Sequence, residues 1–321
     1  MNANSNPPSQ LPDLILVNSF AGGGRAARAT DSLLKFLHTN NWPAELVTTA
    51  DAADLERRAQ AAAAQGHKRI LALGGDGTFH VLLNALALHP DVTLGIIPAG
   101  GGNDLAAALG IPRDPIQAAA LLSNGESRSI DVVRVRTANG QTRLYVGGGG
   151  LGLDADAAQL AATTFANWKG RVRYIAALLR ALQQFTPLQV RATIYSQDWH
   201  GPQTQESKFL LLGFLNTPSY GAGFRVAPHA KLDDGKLEFL AVPNLSPFEI
   251  LALLPALILT GKLRTRRIQR LSITRAHIEA DPPARFHGDG EMLGVTPLEV
   301  EILPRFIRVL APGRSPESNS F

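Results

Sequence analysis

Two glycine-rich segments in the first third of the chain have the composition of phosphate-binding loops. GGDGT occupies residues 74–78 and PAGGGND occupies residues 98–104. Each follows a short apolar run, so a loop with several exposed backbone N–H groups is predicted to lead into a helix N-terminus, which favours phosphate. Glycine is needed because a Cβ would block the close approach of phosphate oxygens. Asp76 can approach a bound triphosphate if Mg²⁺ neutralises part of the charge.

Two later segments place carboxylates beside glycine: Asp233-Asp234-Gly235 and Asp289-Gly290-Glu291. Phosphoryl transfer depends mostly on positioning and charge neutralisation, so a kinase needs a phosphate cradle, a metal and one carboxylate near the acceptor hydroxyl. Each segment also fits a simpler interpretation, because Asp-Gly is a preferred two-residue turn of a β-hairpin. GGDG, taken alone, also fits a tight turn. The residues by themselves leave these alternatives open.

The elements that must position these segments predict two domains of different class. The first part alternates short apolar runs with helix-patterned runs, typical of βαβ units around a parallel sheet, and its glycine-rich loops follow the carboxyl ends of strands, where open α/β sheets bind ligands. The second part has segments rich in Val, Arg, Thr and Tyr, which predict antiparallel β structure with helical insertions. The predicted organisation is an α/β nucleotide-binding domain at 11–133, with 304–311 as a candidate addition, a β-rich acceptor domain at 134–303, and disordered tails at 1–10 and 312–321.

Several local predictions follow from the same patterns. A helix is predicted over Phe79–Leu88, after GGDGT, and one strand over Leu271–Glu279. Two separate strands are predicted over Leu298–Leu303 and Phe306–Leu310. The four consecutive glycines at 147–150 are interpreted as an unusually flexible run.

Composition narrows the class of protein. The chain has 321 residues, 45% of them hydrophobic, and no cysteine, which excludes disulfide frameworks, thiolate nucleophiles and Cys-ligated metal sites. The longest apolar run, Ile250–Leu259, is about half of the roughly 20 residues that span a bilayer. The N-terminal residues lack the features of a signal peptide. These observations predict a cytoplasmic globular protein.

The net charge of +4 is unevenly distributed. Residues 1–134 carry 10 basic and 12 acidic residues, whereas the remainder carries 21 and 15. Two stretches have basic residues and no acid, beside apolar helix-like sequence, and this pattern indicates an anionic surface such as lipid head groups or nucleic acid. An ordinary solvated face is the alternative. The stretches are 157–186, with Lys169, Arg171, Arg173 and Arg180, and 250–278, with Lys262, Arg264, Arg266, Arg267, Arg270 and Arg275.

The ordered set of motifs resembles the diacylglycerol kinase catalytic domain family, which includes sphingosine, ceramide and bacterial lipid kinases. The resemblance rests first on Asn18 to Gly24, GGDGT and PAGGGND. It covers roughly residues 14–310, nearly the whole chain, with the elements in the same order. The further elements that match in order are Gly150–Ala155, Lys169–Tyr174, Asn216–Pro228, Lys231–Leu237 and Asp289–Glu291.

The resemblance implies an ATP- and Mg²⁺-dependent kinase that phosphorylates a hydroxyl of diacylglycerol or a similar lipid. It implies peripheral attachment at the inner face of the cytoplasmic membrane, no nucleic-acid partner, and a homodimer as a candidate assembly. The residues implied to hold ATP are Asn18, Thr49, Gly74, Gly75, Asp76, Gly77, Thr78, Gly100, Gly101, Gly102 and Asn103.

The resemblance also implies the metal ligands and the base. Asp234, with the backbone carbonyls of Lys231 and Lys236, is expected to bind a structural Mg²⁺, for which an all-oxygen site is suited. Asp289 is the expected general base. Glu291 and Asp76 are expected near the catalytic Mg²⁺, and Asp76 is the alternative base.

Two residues depart from the family's pattern. Gly101 stands where many members have Thr, so a hydroxyl contact to the nucleotide is missing, and Gly147 stands where Asn is usual. His287, just before Asp289, is a candidate contact of the active site. Two other functions remain as alternatives: a soluble-substrate kinase of the NAD kinase type, which shares GGDGT, and a relative that binds lipid or nucleotide without catalysis.

Overall fold

The computed structural model describes residues 11–168, 170–221, 223–246, 248–249, 252 and 267–313. Their contacts divide them into two compact units. The described part of unit 1 consists of 11–100, 111–128 and 307–313; that of unit 2 consists of 101–110 and 129–306.

Some of the predictions lie outside the described residues. These are the predicted tail at 1–10, residues 314–321 of the predicted tail at 312–321, and the basic residues Lys169, Lys262, Arg264 and Arg266.

The strands are β1 (Asp13–Asn18), β2 (Ala44–Thr49), β3 (Arg69–Gly74), β4 (Thr93–Pro98), β5 (Glu126–Thr137), β6 (Thr142–Tyr145), β7 (Gly148–Gly152), β8 (Leu188–Tyr195), β9 (Gln203–Leu215), β10 (Leu237–Pro243), β11 (Gln269–Ile273), β12 (Arg275–Asp281), β13 (Arg285–Gly288), β14 (Glu291–Val295) and β15 (Leu298–Ala311). The helices are α1 (Ala21–Thr39), α2 (Ala52–Gln65), α3 (Asp76–Leu86), α4 (Asp104–Ala108), α5 (Pro115–Ser123), α6 (Leu153–Ala162) and α7 (Gly170–Gln184). None of the helices in these ranges has the length and hydropathy to cross a bilayer.

Unit 1 is built on a parallel sheet with the strand order β2-β1-β3-β4-β15. All six residues of β4 are buried, and five of six in β3, as expected for apolar strands covered on both faces. The helix after β3 begins at Asp76, one turn before the predicted start at Phe79. The reason is that the Phe79 N–H donates to the Gly75 carbonyl at 3.0 Å and so closes the first turn.

Unit 2 is β-rich and antiparallel. Strands β14, β13, β7, β9, β8, β12 and β15 follow one another, and β10 pairs with both β9 and β11. Its core includes Phe214, whose ring centroid lies 5.3 Å from that of Phe239 and 5.7 Å from that of Phe286. The predicted fold class, a parallel α/β part and a β-rich antiparallel part, is confirmed.

Two strand predictions are wrong in their boundaries. The strand predicted over Leu271–Glu279 is divided at Thr274, because β11 pairs with β10 whereas β12 pairs with β8. The Thr274 N–H donates to the Tyr195 carbonyl at 2.8 Å at this change of partner. Conversely, the two strands predicted after residue 298 form one strand, β15, whose first residues pair with β12 and whose last residues pair with β4.

The glycine run at 147–150 forms a packed strand, so the prediction of a flexible segment is wrong. Residues 148–152 form β7, all five are buried, and the strand lies between β9 and β13. A Cβ on Gly149 would lie 2.5 Å from the His287 carbonyl oxygen, and one on Gly150 would lie 2.5 Å from that of Leu212. The glycines therefore permit close approach of neighbouring backbones.

Candidate functional site

The GGDGT segment joins β3 to α3 in unit 1. Gly74 ends the strand, and Gly75 is extended, with φ −110° and ψ −169°, immediately before the helix. The first N–H groups of a helix have no acceptor within the helix, so this turn is suited to an anion. Thr78 is buried, and its Oγ1 accepts a hydrogen bond from Asn18 Nδ2 at 3.0 Å. Contact between Asn18 and Thr78 brings the ends of β1 and β3 together.

A second glycine-rich turn, residues 22–24, lies at the start of the α1 range, where the backbone is not helical, and it packs on the loop after β4. Gly22 has a left-handed φ of 62°, and a Cβ there would lie 2.0 Å from the Ala99 carbonyl oxygen. Arg25 Nη1 donates to the Gly100 carbonyl at 2.9 Å, and the Ala99 N–H donates to the Gly74 carbonyl at 2.7 Å. The turns after β1, β3 and β4 therefore meet at the carboxyl edge of the parallel sheet.

Thr49 and residues 101–103, which are also predicted to bind nucleotide, do not share one environment. Thr49 is buried at the end of β2, and its hydroxyl donates to the Val17 carbonyl at 3.1 Å, so this hydroxyl supports the strand. Residues 101–103 belong to unit 2. Gly101 is exposed, whereas Asn103 is buried with a left-handed φ of 58° at the start of α4. A Cβ on Gly101 would have no atom within 4 Å.

Asp289 lies in a two-residue turn between β13 and β14 in unit 2. Asp289 and Gly290 have φ values of 54° and 89°, as a type I′ hairpin turn requires. The Asp-Gly pair therefore forms the predicted hairpin turn. The Asp289 side chain in this turn is also held by hydrogen bonds. The Asp289 carboxylate accepts N–H groups of Val146 at 3.0 Å, Gly147 at 2.8 Å and Gly148 at 3.3 Å.

These three N–H dipoles orient the Asp289 carboxylate and stabilise its negative charge. Gly147 matters here because a Cβ on it would lie 2.8 Å from Asp289 Oδ1. Glycine in place of the usual Asn therefore lets the backbone at residue 147 lie close to the predicted base. Glu291 begins β14, directly after the turn, and is exposed. The phenol of Tyr145 is buried nearby; burial, and then the Asp289 and Asp154 carboxylates, raise its pKa well above the usual range.

The segment Asp233-Asp234-Gly235 is not a two-residue hairpin turn, because β10, which follows it, pairs with β9 and β11. Buried Asp131 organises it instead. Asp131 Oδ2 accepts the Gly235 N–H at 2.7 Å, Oδ1 accepts the Arg305 N–H at 2.7 Å, and the Asp131 N–H donates to the Leu232 carbonyl at 2.6 Å. Burial raises the pKa of Asp131, and the two accepted hydrogen bonds oppose that shift.

The donors of this turn have the chemistry that suits Mg²⁺. Asp234 is exposed, and its Oδ1 accepts the Lys236 N–H at 3.0 Å. Within the described ranges, no three His, Asp or Glu side chains converge as a metal site. The predicted ligands, the Asp234 carboxylate and two backbone carbonyls, are all oxygen atoms, which suits a hard cation whose remaining ligands are water. Lys231, Asp234 and Lys236 lie in this one short segment, and their role as metal ligands stays a prediction.

A polar cluster of buried His287 with half-buried Asp154 and Tyr220 was only partly indicated by the sequence. His287 Nε2 lies 2.9 Å from Asp154 Oδ2 and 2.9 Å from the Tyr220 hydroxyl, which itself donates to Asp154 Oδ1 at 2.8 Å. His287 was a predicted site contact, and Asp154 and Tyr220 each lie within a matching motif, but neither of these two was singled out. Asp154 and His287 are 133 residues apart, so no local pattern links them.

Comparison with known proteins gives two family matches that together cover most of the chain. Residues 12–135 match the diacylglycerol kinase catalytic domain, and residues 147–311 match the YegS C-terminal NAD kinase beta sandwich-like domain. A protein named "Diacylglycerol kinase" from Mycobacterium tuberculosis is 29% identical over 92% of this chain and 94% of its own length. One named "Probable lipid kinase YegS-like" from Pseudomonas fluorescens is 31% identical over 86% of this chain and 88% of its own length.

Two solved structures share the fold. A crystal structure of a diacylglycerol kinase from Bacillus anthracis has a TM-score of 0.70 at 22% identity, and covers 94% of this chain and 97% of that one. Yeast NADH kinase in complex with NADH has a TM-score of 0.52 at 10% identity, and covers 98% of this chain and 90% of that one. At these identities, the similarity concerns the fold alone.

Proposed function

This chain belongs to the lipid kinase family characterised by the diacylglycerol kinase catalytic domain, and we propose that it transfers the γ-phosphoryl group of ATP to a hydroxyl of diacylglycerol or a similar lipid. The observation that carries this proposal is the Asp289 carboxylate, which three backbone N–H groups hold in one orientation. The three N–H groups fix the position of this carboxylate, and a fixed position within hydrogen-bond reach of an acceptor hydroxyl is the geometry that a general base requires.

The turns of unit 1 supply the proposed phosphate cradle. Asn18, Gly74 to Thr78 and Gly100 lie where the turns after β1, β3 and β4 meet, and helix α3 points its N-terminus into this edge. Backbone N–H groups there bind the phosphates, and Gly101 to Asn103 complete the proposed nucleotide contacts. Mg²⁺, when bound, would neutralise part of the phosphate charge.

In the proposed reaction, Asp289 takes the proton of the lipid hydroxyl as that oxygen forms a bond to the γ-phosphorus. The bond from the γ-phosphorus to the bridging oxygen breaks, and ADP leaves with the electron pair. Asp76, in the first turn of α3, is the alternative base. Glu291 and Asp76 are proposed to bind the catalytic Mg²⁺, and Asp234 with the carbonyls of Lys231 and Lys236 a structural one.

Peripheral attachment to an anionic membrane surface is part of the proposal, because the acceptor lipid resides there. In the acid-free stretch 157–186, Trp168, Val172 and Leu179 are exposed apolar side chains, and Arg180 is also exposed. Apolar side chains beside basic ones favour an anionic lipid interface. Flotation with vesicles that contain anionic lipid is expected to recover the protein, whereas neutral vesicles are expected to recover less of it.

The decisive experiment offers radiolabelled ATP and Mg²⁺ with a panel of acceptors in mixed micelles: diacylglycerol, monoacylglycerol, sphingosine, ceramide and soluble NAD. Phosphate is expected in a lipid product. If ATP binds but no lipid is phosphorylated, the proposal fails, and phosphorylation of NAD alone would assign the chain to the soluble-substrate class.

Replacing Asp234 by Ala is expected to lower the affinity for Mg²⁺ by about tenfold or more, because it removes the one carboxylate from the proposed oxygen ligands. The measurement is the rise in melting temperature on adding MgCl₂ without nucleotide, compared between the wild type and the variant. Asp233→Ala, in the same exposed turn, is the matched control. An equal Mg²⁺-dependent rise in wild type and Asp234→Ala would contradict the assignment.

Gly101→Thr is expected to tighten ATP binding by about threefold to tenfold, because it restores a hydroxyl at a position with open space around the Cα. Calorimetric titration with a non-hydrolysable ATP analogue measures the change. Gly101→Val, which has the same shape without the hydroxyl, is the control and is expected to give no gain. Equal affinities for wild type and Gly101→Thr would show that this position does not face the nucleotide.

A further inference from the structure

Asp154, His287 and Tyr220 form a closed set of hydrogen bonds in unit 2, in which His287 is buried and the other two side chains are half-buried. His287 is fully buried, and its ring is nearly stacked on that of Tyr220, with centroids 5.7 Å apart and an interplanar angle of 26°. The three polar contacts among the three side chains are all 2.8–2.9 Å. Short hydrogen bonds among all three members of a polar cluster favour one arrangement of the elements that carry them.

The contacts determine where the protons lie. Burial, and then the Asp154 carboxylate, raise the pKa of the Tyr220 phenol well above its usual range, so the phenol is protonated and donates to Asp154 Oδ1. His287 Nδ1 is buried and has no hydrogen-bond partner among the described residues. Nε2 faces two oxygens, Asp154 Oδ2 and that of Tyr220, so the contacts favour the tautomer with a proton on Nε2.

The cluster is linked to Asp289 through the short strand β13. His287 lies two residues before Asp289 and pairs with Gly150 of β7 and Met292 of β14. Strand β7 also begins with Gly148, which donates its N–H to the Asp289 carboxylate and accepts the Asp289 N–H at 2.8 Å. A shift of β13 along β7 would therefore displace the carboxylate from its N–H donors.

Asp154 and Tyr220 fix His287 from two other elements. Asp154 lies in the first turn of α6, and Tyr220 lies in the loop after β9, where it pairs with Phe224. In the same loop, the Ser219 hydroxyl donates to Asp104 Oδ1 at 3.1 Å, at the start of α4. Three separate elements thus meet at the imidazole that precedes the proposed base.

We propose that Asp154, His287 and Tyr220 are positioning residues for catalysis, which hold the β13–β14 turn so that the Asp289 carboxylate stays on the N–H groups of residues 146–148. This inference rests on the proposed function, because Asp289 is the base only there. The three side chains act through Asp289 and are not themselves assigned to the reacting atoms.

Steady-state kinetics of Tyr220→Phe and His287→Gln test the proposal in the full chain. Tyr220→Phe removes one hydroxyl and keeps the ring, and is expected to lower kcat about tenfold with the KM for ATP unchanged. His287→Gln keeps an N–H donor of similar reach and should retain more activity than His287→Leu. The double variant Tyr220→Phe/His287→Gln should lose less than the product of the two single losses, because the residues act as one unit.

Matched controls are Tyr195→Phe and His277→Gln, which make the same chemical changes at residues outside the cluster and are expected to leave kcat unchanged. Circular dichroism and melting temperature establish that each variant is folded at the assay temperature. If folded Tyr220→Phe and His287→Gln both keep kcat within twofold of wild type, the positioning role is refuted and the cluster is only structural.

A spectroscopic measurement separates this proposal from the proposed function. Ring ¹⁵N shifts and long-range ¹H–¹⁵N correlations at neutral pH are expected to show His287 as the Nε2-protonated tautomer in wild type, and to change in Tyr220→Phe. A proton on Nδ1 in the wild type would overturn the proposed cluster even if the kinase is active. Conversely, the Nε2 tautomer in a protein that phosphorylates no lipid would refute the proposed function and, with it, the catalytic role.

Discussion

Asp289→Asn is expected to lower kcat for lipid phosphorylation by about a thousandfold, because an amide cannot take the proton of the acceptor hydroxyl. The affinity for ATP is expected to change less than twofold, since the proposed phosphate contacts come from other turns. Initial rates at saturating ATP and lipid measure the first effect, and calorimetric titration with an ATP analogue measures the second.

Asp289→Asn is also expected to be slightly less stable than the wild type, and this loss of stability must be separated from the loss of rate. The Asp289 carboxylate accepts three N–H groups, and an Asn amide places its own NH₂ against one of them. A lower melting temperature is therefore expected, but the protein should be folded at the assay temperature. Asp281→Asn, at an exposed carboxylate at the end of β12, is the matched control and should keep full activity.

A rate for Asp289→Asn close to that of the wild type would remove Asp289 as the base. Asp76 would then be the next candidate, and Asp76→Asn would be examined in the same assay. Loss of ATP affinity together with rate in Asp76→Asn would indicate a role at the nucleotide, whereas loss of rate alone would indicate a role as base.

Gly149→Ala is expected to destabilise the protein by about 3 kcal/mol, the upper part of the usual range for overpacking a well-packed core. Its Cβ would lie 2.5 Å from the His287 carbonyl oxygen and 2.9 Å from Tyr145 Cζ. The carbonyl belongs to β13 and cannot move away without breaking the β7–β13 pairing. Urea unfolding followed by tryptophan fluorescence or circular dichroism measures the change.

Gly201→Ala is the matched control, because an added Cβ there meets no atom within 4 Å and the residue does not have a left-handed φ. Its free energy of unfolding should stay within about 0.5 kcal/mol of wild type. If Gly149→Ala were equally harmless, β7 would not be packed as described, and the original interpretation of a flexible glycine run would be restored. Because β13 carries Asp289 two residues beyond His287, activity is also expected to fall in Gly149→Ala.

Much of unit 1 was accessible from the sequence because its signals are local. Apolar runs, helix periodicity and glycine-rich turns occur within windows of about ten residues, and a parallel sheet brings the carboxyl ends of its strands to one edge. This reasoning placed Asn18, Gly74 and Thr78 at a common edge, and the structure brings them together there. The boundary error at Phe79 arose because glycine, a poor helix former, precedes α3 at Gly75 and occupies its first turn at Gly77.

In unit 2 the same approach was less successful, because its strands find partners far along the chain. Thr274 divides a run that is continuous in β propensity, since the residues on its two sides pair with different strands. Nothing within 147–150 distinguishes a flexible glycine run from a strand that needs glycine to approach His287 and Leu212. The Asp-Gly pair at 289–290 was correctly considered as a hairpin turn, but its N–H donors, more than 140 residues earlier, were not foreseeable.

The sequence by itself determined the fold class, the family resemblance and the identities of the residues suited to phosphate, metal and proton chemistry. These depend on residue type and on order along the chain. The tertiary structure alone decided which N–H groups hold Asp289, that Asp131 organises the turn of Asp234, and that Asp154, His287 and Tyr220 form one cluster. The physical reason is that hydrogen bonds between distant residues depend on strand register and on burial, and no local pattern encodes either.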